Sequence, residues 1–172
     1  MYRGDKIYFR TLTSDDVSVM MAWENNPDNW KISSTTKAYS RAQIEEFVGL
    51  NQDIFIHSQL RLIICLTETN EIIGNMDLFD FEPEHKRVGV GILIDEKYRN
   101  KGLANESIQL IEEYCKIILD VKNIFCNILT DNTKSIKLFE KNNFKRICVK
   151  PNWHQYAGEW FDEYMYLKEL AY

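Results

Sequence analysis

Residues 99–104, Arg-Asn-Lys-Gly-Leu-Ala, stand between an apolar run ending Ile92-Leu93-Ile94 and the amphipathic stretch "ANESIQLIEEYCKIIL". Gly102 permits close approach of the backbone to a ligand. The first N–H groups of a helix have no intrahelical partner, and the helix dipole adds partial positive charge there. Arg99 and Lys101 contribute full charges. Such a junction suits a phosphate or pyrophosphate. Two common phosphate-binding patterns are excluded. Gly89-Val90-Gly91 lies inside an alternating strand, not in a strand-to-helix loop, and no G-x-x-x-x-G-K-[ST] occurs.

Other residues with chemistry to offer are scattered. "MDLFDFEPEH" carries Asp77, Asp80, Glu82 and Glu84, which together could hold a polycation or form a solvated acidic hairpin. The cysteines Cys65, Cys115, Cys126 and Cys148 stand singly with no C-x-x-C pair, so zinc is not expected and reduced core thiols in a cytoplasmic protein are. No metal is expected. Trp23, Trp30, Trp153 and Trp160 could wall a pocket or fill a core.

Composition narrows the class. Of 172 residues, 45% are hydrophobic and 27% charged, ordinary for a globular domain. The net charge of −5 argues against a nucleic-acid partner, which selects a basic face. No window reaches the roughly eighteen uncharged apolar residues of a membrane span, so no membrane partner is expected. "MYRGDKIYFRTLT" alternates and is charged, unlike a signal or transit peptide.

The elements that must position these residues follow from periodicity. "KIYFRTLT" reads as a strand. Thr13 and Asp16 offer a cap for a helix to about residue 24. "SRAQIEEFVGLNQ" reads as a helix capped by Ser40. "LRLIICL", "EIIGNMDLFDF" and "RVGVGILI" are strands separated by turn chemistry, an antiparallel meander. Ile108, Ile111, Cys115 and Ile118 form the apolar stripe of the following helix. "NIFCNIL" is a strand, "NTKSIKLFEKN" a short helix, and "FKRICVK" and "EWFDEYMYLKEL" closing strands. Without repeats or linkers, residues 1–172 read as one domain. The class is α+β (mixed α/β), a mostly antiparallel twisted sheet of about seven strands flanked by about four helices.

"VGVGILIDEKYRNKGLANESIQLIEEY" resembles motif A of the GNAT superfamily of N-acetyltransferases, whose [Q/R]-x-x-G-x-[G/A] is matched by Arg99, Gly102 and Ala104. "DNTKSIKLFEKNNF" resembles that superfamily's N-x-x-[A/S]-x-x-x-[Y/F]-x-x-x-[G/N]-F through Asn132, Ser135, Phe139, Asn143 and Phe144. "IYFRTLTSDDVSVMMAWENNP" resembles the opening of the branch holding ribosomal-protein alanine and spermidine acetyltransferases.

The resemblance implies acetyl-CoA as co-substrate. Ile92, Leu93 and Ile94 would pair with the pantetheine arm as an added strand. Arg99, Asn100, Lys101, Gly102, Leu103, Ala104 and Asn105 would wrap the pyrophosphate. Asn132, Ser135 and Phe139 would flank the arm, and Lys134 and Lys141 could meet the adenosine phosphates. Gly91, with a bulge common at this point in the family, would help splay its strand from "NIFCNIL". A homodimer or higher oligomer is a further family expectation.

Acetyl transfer needs a neutral amine, a polarised thioester and a proton for the leaving thiolate. The resemblance implies that a backbone amide around Leu93 polarises the carbonyl. Two family proton carriers are missing. Gly89 stands where relatives have a glutamate, and Phe139 where they have a tyrosine. By resemblance to the alanine acetyltransferases, Ser135 would serve the thiolate. His154 falls near their base, a glutamate between the last two strands, with Glu159 and Asp162 as rivals in "KPNWHQYAGEWFDEY", the segment that aligns with theirs. An imidazole, with a reference pKa of about 6.5, suits that task.

At pH 7.5 roughly a third of α-amines but only about 0.1% of lysine side chains are neutral. A site short of a strong base therefore favours a protein N-terminus or another weakly basic amine. Asp77, Asp80 and Glu84 keep a small amine or polyamine open as the acceptor. The acidic pair that spermidine acetyltransferases carry between their first helices is not evident in "NWKISSTTKAYS". The competing reading, drawn from Gly89 and Phe139, is a catalytically weak acyl-CoA-binding sensor or scaffold.

Overall fold

A computed structural model describes residues 2–50 and 53–171. Within these, eight strands form one sheet: β1 (Tyr2–Arg3), β2 (Ile7–Thr11), β3 (Leu60–Leu66), β4 (Ile72–Glu82), β5 (Arg87–Ile94), β6 (Asn123–Leu129), β7 (Lys145–Tyr156) and β8 (Glu159–Glu169). Their spatial order is β1-β2-β3-β4-β5-β6-β8-β7. Every neighbouring pair is antiparallel except β5 and β6. The crossover between those two parallel strands carries a helix, as parallel pairing requires.

Among the described residues six α-helices accompany the sheet: α1 (Val17–Glu24), α2 (Pro27–Ser33), α3 (Arg41–Gly49), α4 (Ile54–His57), α5 (Leu103–Ile117) and α6 (Thr133–Lys141). The α+β reading holds, with one more strand and two more helices than the periodicity suggests. β1 is two residues long, too short for alternation to register. α2 starts on an Asn26 cap with Pro27 in its first turn, and α4 spans four residues after an Asp53 cap. The expected helix from Ser40 forms with its Gln43 capping box; Asn51 and Gln52 at its expected end lie outside the described residues.

Thr13 and Asp16 behave as a cap. The Thr13 N–H and hydroxyl donate to Asp16 Oδ2 at 2.8 and 3.2 Å, opening a short 3-10 turn that leads into α1. One expectation fails at the end of the chain. Residues 151–156 are not a connecting loop but belong to β7, and the hairpin turns at Ala157-Gly158, with φ of 51° and 85°. Positive φ at both central residues matches the turn that follows strand twist.

Two cores lie on opposite faces of the sheet. Ile64, Met76, Val88, Val90, Ile124 and Cys126 pack beneath Ile108, Ile111 and Cys115 of α5 and Phe139 of α6. Tyr8, Ile63 and Cys65 pack beneath Met20 and Trp23 of α1 and Ile44 and Val48 of α3. Each fully buried aliphatic side chain stabilises by about 1.5–3 kcal/mol, and Ile108 and Ile111 are 0% exposed. Among the described residues no helix is long and apolar enough to cross a membrane.

Candidate active site

The sheet opens between β5 and β6. Their ladder contains three register pairs, Arg87 with Asn123, Val88 with Ile124 and Gly89 with Phe125. Beyond them β5 continues against β4 as far as Ile94, and β6 continues against β8 as far as Leu129. Residues 90–94 and 126–129 therefore face each other across a gap. No bulge lies at Gly91: register with β4 is unbroken from Gly89 to Ile94, and φ at Gly91 is not positive. The bulge expected there sits on β4 instead, between Phe79 and Glu82, with Asp80 at φ 48°.

Backbone direction along the gap follows from one hydrogen bond. The Asp95 N–H donates to Ile73 O at 2.8 Å, extending the register that pairs Leu93 with Asn75. Alternation then turns the N–H and C=O of Leu93 towards β4, and those of Ile92 and Ile94 towards the opening. A Cβ added at Gly74 would meet Leu93 O at 2.1 Å, consistent with a carbonyl aimed at β4. The Leu93 amide, the one expected to polarise the carbonyl, thus lies against β4. The cleft-facing amides are those of Ile92 and Ile94, because only every second residue points into the gap.

At the open end of β5 the chain makes a 3-10 turn, Glu96–Tyr98, and enters α5. Asp95 caps that turn through the Lys97 N–H at 3.1 Å and accepts from Trp23 Nε1 of α1 at 3.3 Å. Arg99 Nε donates to Ile94 O at 2.9 Å, and Lys101 Nζ lies 5.1 Å from the centre of the Tyr98 ring. Gly102 is the α5 N-cap at φ 79° and has no capping side chain. The amides of Leu103, Ala104 and Asn105 thus begin a helix without intrahelical acceptors, with Asn100 at φ 63° in the loop before them. Asn105 Oδ1 accepts from buried Asn142 at 3.2 Å, tying α5 to the end of α6.

α6 follows β6 on the other side of the gap. Asn132 caps it, its Oδ1 accepting from the Ser135 N–H at 3.2 Å. Ser135 is half-buried in the first turn, one helical turn before Phe139 on the same face. Phe139 is 3% exposed and packs edge-on to Phe144 at 4.9 Å.

His154 lies on β7 opposite Phe161 of β8. Its Nδ1 is 3.4 Å from Ser34 Oγ, and its Nε2 is shielded from solvent without a hydrogen-bond partner among the described residues. α2 is held over this hairpin: Lys31 pairs with Asp131 and sits 3.7 Å from the centre of the Phe161 ring. Asp162 is engaged with the Asn152 N–H at 2.8 Å, and Glu159 is exposed beside the turn.

The face beneath α1 and α3 holds groups that sequence reasoning missed. Arg61 grips Asp77 through two hydrogen bonds of 2.5 and 2.8 Å and pairs with Glu24, under the Phe47 ring at 5.4 Å. Burial lowers the Arg61 pKa, but Asp77 and then Glu24 outweigh it and hold the guanidinium charged. Buried Asn75 adds a bond to Asp77 at 3.2 Å. A cavity of about 200 Å³ opens beside Asp77 and Phe79. The other carboxylates do not join Asp77. Asp80 is exposed on the bulge, Glu82 pairs with Arg87 at 2.7 Å, and Glu84 is exposed on the turn after β4. A lone arginine in "LRLIICL" was the available signal.

Residues 6–145 match the family model described as acetyltransferase (GNAT) domain. An uncharacterized N-acetyltransferase, p20, of Bacillus licheniformis is 23% identical over 163 residues, 94% of this chain and 92% of that protein. Spermidine N(1)-acetyltransferase of Vibrio cholerae is 23% identical over 142 residues, 83% of this chain and 74% of that protein. Among solved structures, spermidine N-acetyltransferase from Vibrio cholerae in complex with CoA and spermine superposes with a TM-score of 0.87. It is 20% identical, with 97% of each chain covered. That likeness establishes the fold.

Proposed function

The chain belongs to the acetyltransferase (GNAT) family, and from that premise we propose that it transfers acetyl from acetyl-CoA directly to a primary amine. The acceptor is a protein N-terminus or a small amine or polyamine. The observation that carries the reading is the opening between β5 and β6, which is bordered by strand N–H groups turned away from β4 and ends near the uncapped N-terminus of α5. Similarity to the spermidine enzyme, and a fold neighbour holding CoA and spermine, support the donor and the amine class.

Acetyl-CoA, when bound, supplies the activated acetyl thioester. The chain's own residues hold and polarise it. Ile92 and Ile94 offer strand amides to the pantetheine arm, and their direction makes Ile92 the choice for the oxyanion donor. The helix amides of residues 103–105, with Gly102 before them, receive the pyrophosphate, Arg99, Asn100 and Lys101 bordering it. Asn132 keeps its Nδ2 for the arm while its Oδ1 caps α6.

The Ser135 hydroxyl delivers a proton to, or orients, the leaving thiolate. His154 takes the amine proton; its shielded, unpartnered Nε2 supports it over Asp162, which is already engaged. Asp77 anchors the acceptor. Thiol release from acetyl-CoA over N-terminal peptides, spermidine, spermine, lysine-like amines and aminoglycosides tests the reading. Amine-dependent release with at least one class is expected; binding of acetyl-CoA without release from any of them would overturn it.

A further inference from the structure

Gly89 and Gly91 share the β5 face that looks towards α1 and α3, yet their surroundings differ. Above Gly89 lies the Phe79 ring, 2.3 Å from where a Cβ would stand. Above Gly91 there is room: Asp77 Cβ and Phe79 Cε1 would be 3.9 and 4.0 Å from its Cβ, ordinary contact distances. Gly91 is therefore an open step on the strand that borders the β5–β6 gap. The two residues that bound this step, Asp77 and Phe79, also line the cavity of about 200 Å³. The cavity lies over β3 and β4, with Gly91 of β5, the register partner of Asp77, between it and the gap.

Its chemistry is uneven. Phe47, Leu50, Leu60, Leu78 and Phe79 supply apolar wall, Asp77 and Arg61 form a charged end, and His57 and Gln59 add polar lining. At that end the carboxylates of Asp77 and Glu24 meet one guanidinium, so the cluster of three carries a net negative charge. An ammonium suits that end, and an apolar group suits the rest. The volume admits something the size of an aromatic or branched side chain, below the roughly 300 Å³ at which drug-sized pockets begin. A polyamine would bring a second charge into apolar wall and lose its hydration there.

The geometry points to this cavity as the seat of a single apolar side group on the acceptor, with Gly91 keeping the way to it open. The acceptor class is a primary amine bearing one aryl or branched alkyl group, its ammonium on the Asp77 side before proton loss. The inference rests on the acetyl-transfer reading for its role in turnover, and on the cavity alone for binding.

Thiol release with phenethylamine, isoamylamine, ethylamine and spermidine at saturating acetyl-CoA tests the turnover arm. kcat/KM for the first two is expected to exceed that for ethylamine and spermidine at least about tenfold, the scale of size discrimination in an apolar pocket. Gly91→Leu should cut the phenethylamine-to-ethylamine ratio by about tenfold. Phe47→Ala alters the opposite wall and should lower the same ratio, which preserves the test should the leucine chain fail to fold. Preference for spermidine, or a ratio unmoved in both variants, would overturn the assignment. Saturation-transfer NMR of phenethylamine on the CoA-loaded chain reads binding without turnover. A signal lost in the variants supports the cavity even where no amine is acetylated, an outcome that sinks only the transfer reading. No signal with wild type would overturn the cavity assignment even where other amines are acetylated.

Discussion

The Phe79 ring lies over Gly89 so closely that a Cβ on the glycine would stand 2.3 Å from Phe79 Cε2. Phe79 is held there by an edge-on contact with Phe125 of β6, 5.6 Å between ring centres. The ring thus occupies the space into which a glutamate at position 89 would project. Gly89→Ala should destabilise the fold by about 1–3 kcal/mol, the usual cost of overpacking. Adding Phe79→Ala should recover part of that loss. Urea denaturation of the two single variants and the double variant checks this; additive effects would mean that the ring does not press on the strand.

Gly102 sits at φ 79° with no atom of the described residues within 4 Å of an added Cβ. Substitution there meets backbone strain but no neighbour. Gly102→Ala should cost about 1 kcal/mol of stability. Gly102→Glu should cost a similar amount and abolish acetyl-CoA binding, because its carboxylate would stand where the helix amides face an anion. Calorimetric titration of both variants separates the two effects. Unchanged affinity in the glutamate variant would remove the pyrophosphate from this helix end.

Most of the scaffold was legible because its signals are local. The stripe Ile108, Ile111 and Cys115, the apolar run at 60–66 and the alternating run at 87–94 are local patterns. α2 was legible in principle, through Asn26-Pro27, but lacks a clear apolar stripe and has no buried residue. What stayed hidden depends on pairing. Arg61 and Asp77 meet only because β3 and β4 align them in register. The direction of the Leu93 amide is a matter of ladder phase, which a one-residue shift would reverse. His154 reads as a loop residue until the irregular pairing of residues 150–154 is known.

Ser135 and Asn132 share one hydrogen bond but have separable roles. Asn132→Ala removes the α6 cap and should cost about 1 kcal/mol of stability, as cap deletions do. Ser135→Ala leaves that bond intact, because the backbone N–H is the donor. It should lower kcat about a hundredfold, within the range for a lost proton donor, with little change in acetyl-CoA affinity. Full turnover in the alanine variant would make Ser135 a packing residue only.

Asp16 is buried against Arg10, with paired bonds of 2.7 Å. Burial raises its pKa, but Arg10 and Thr13 outweigh burial and hold the carboxyl below its ordinary value. The sign follows from linkage. A carboxylate with a depressed folded-state pKa contributes stability that is present above the unfolded value of about 3.9 and lost as pH falls through the folded one. The melting temperature of wild type should therefore drop on acidification below about pH 4, and that of Asp16→Asn should start lower and drop less. Parallel melting curves from pH 3 to 7 would show that other carboxylates govern acid unfolding.

His154 joins three elements: its own strand, Phe161 of β8 and Ser34 at the end of α2. As proton acceptor for the amine, it should matter most when the acceptor arrives protonated. His154→Gln keeps much of the shape and a polar tip, and should lower kcat/KM about a hundredfold near pH 7. The loss should shrink as pH rises past the acceptor's own pKa, where the neutral amine no longer needs a base. It should also be smaller for weakly basic α-amines than for lysine-like amines, whose neutral fraction is several hundredfold lower, roughly, at the same pH. Ser34→Ala, which removes only the hydroxyl near Nδ1, should give a milder version of the same profile. A pH-independent loss, equal for both amine types, would assign His154 to holding α2 against the hairpin and leave proton removal to solvent.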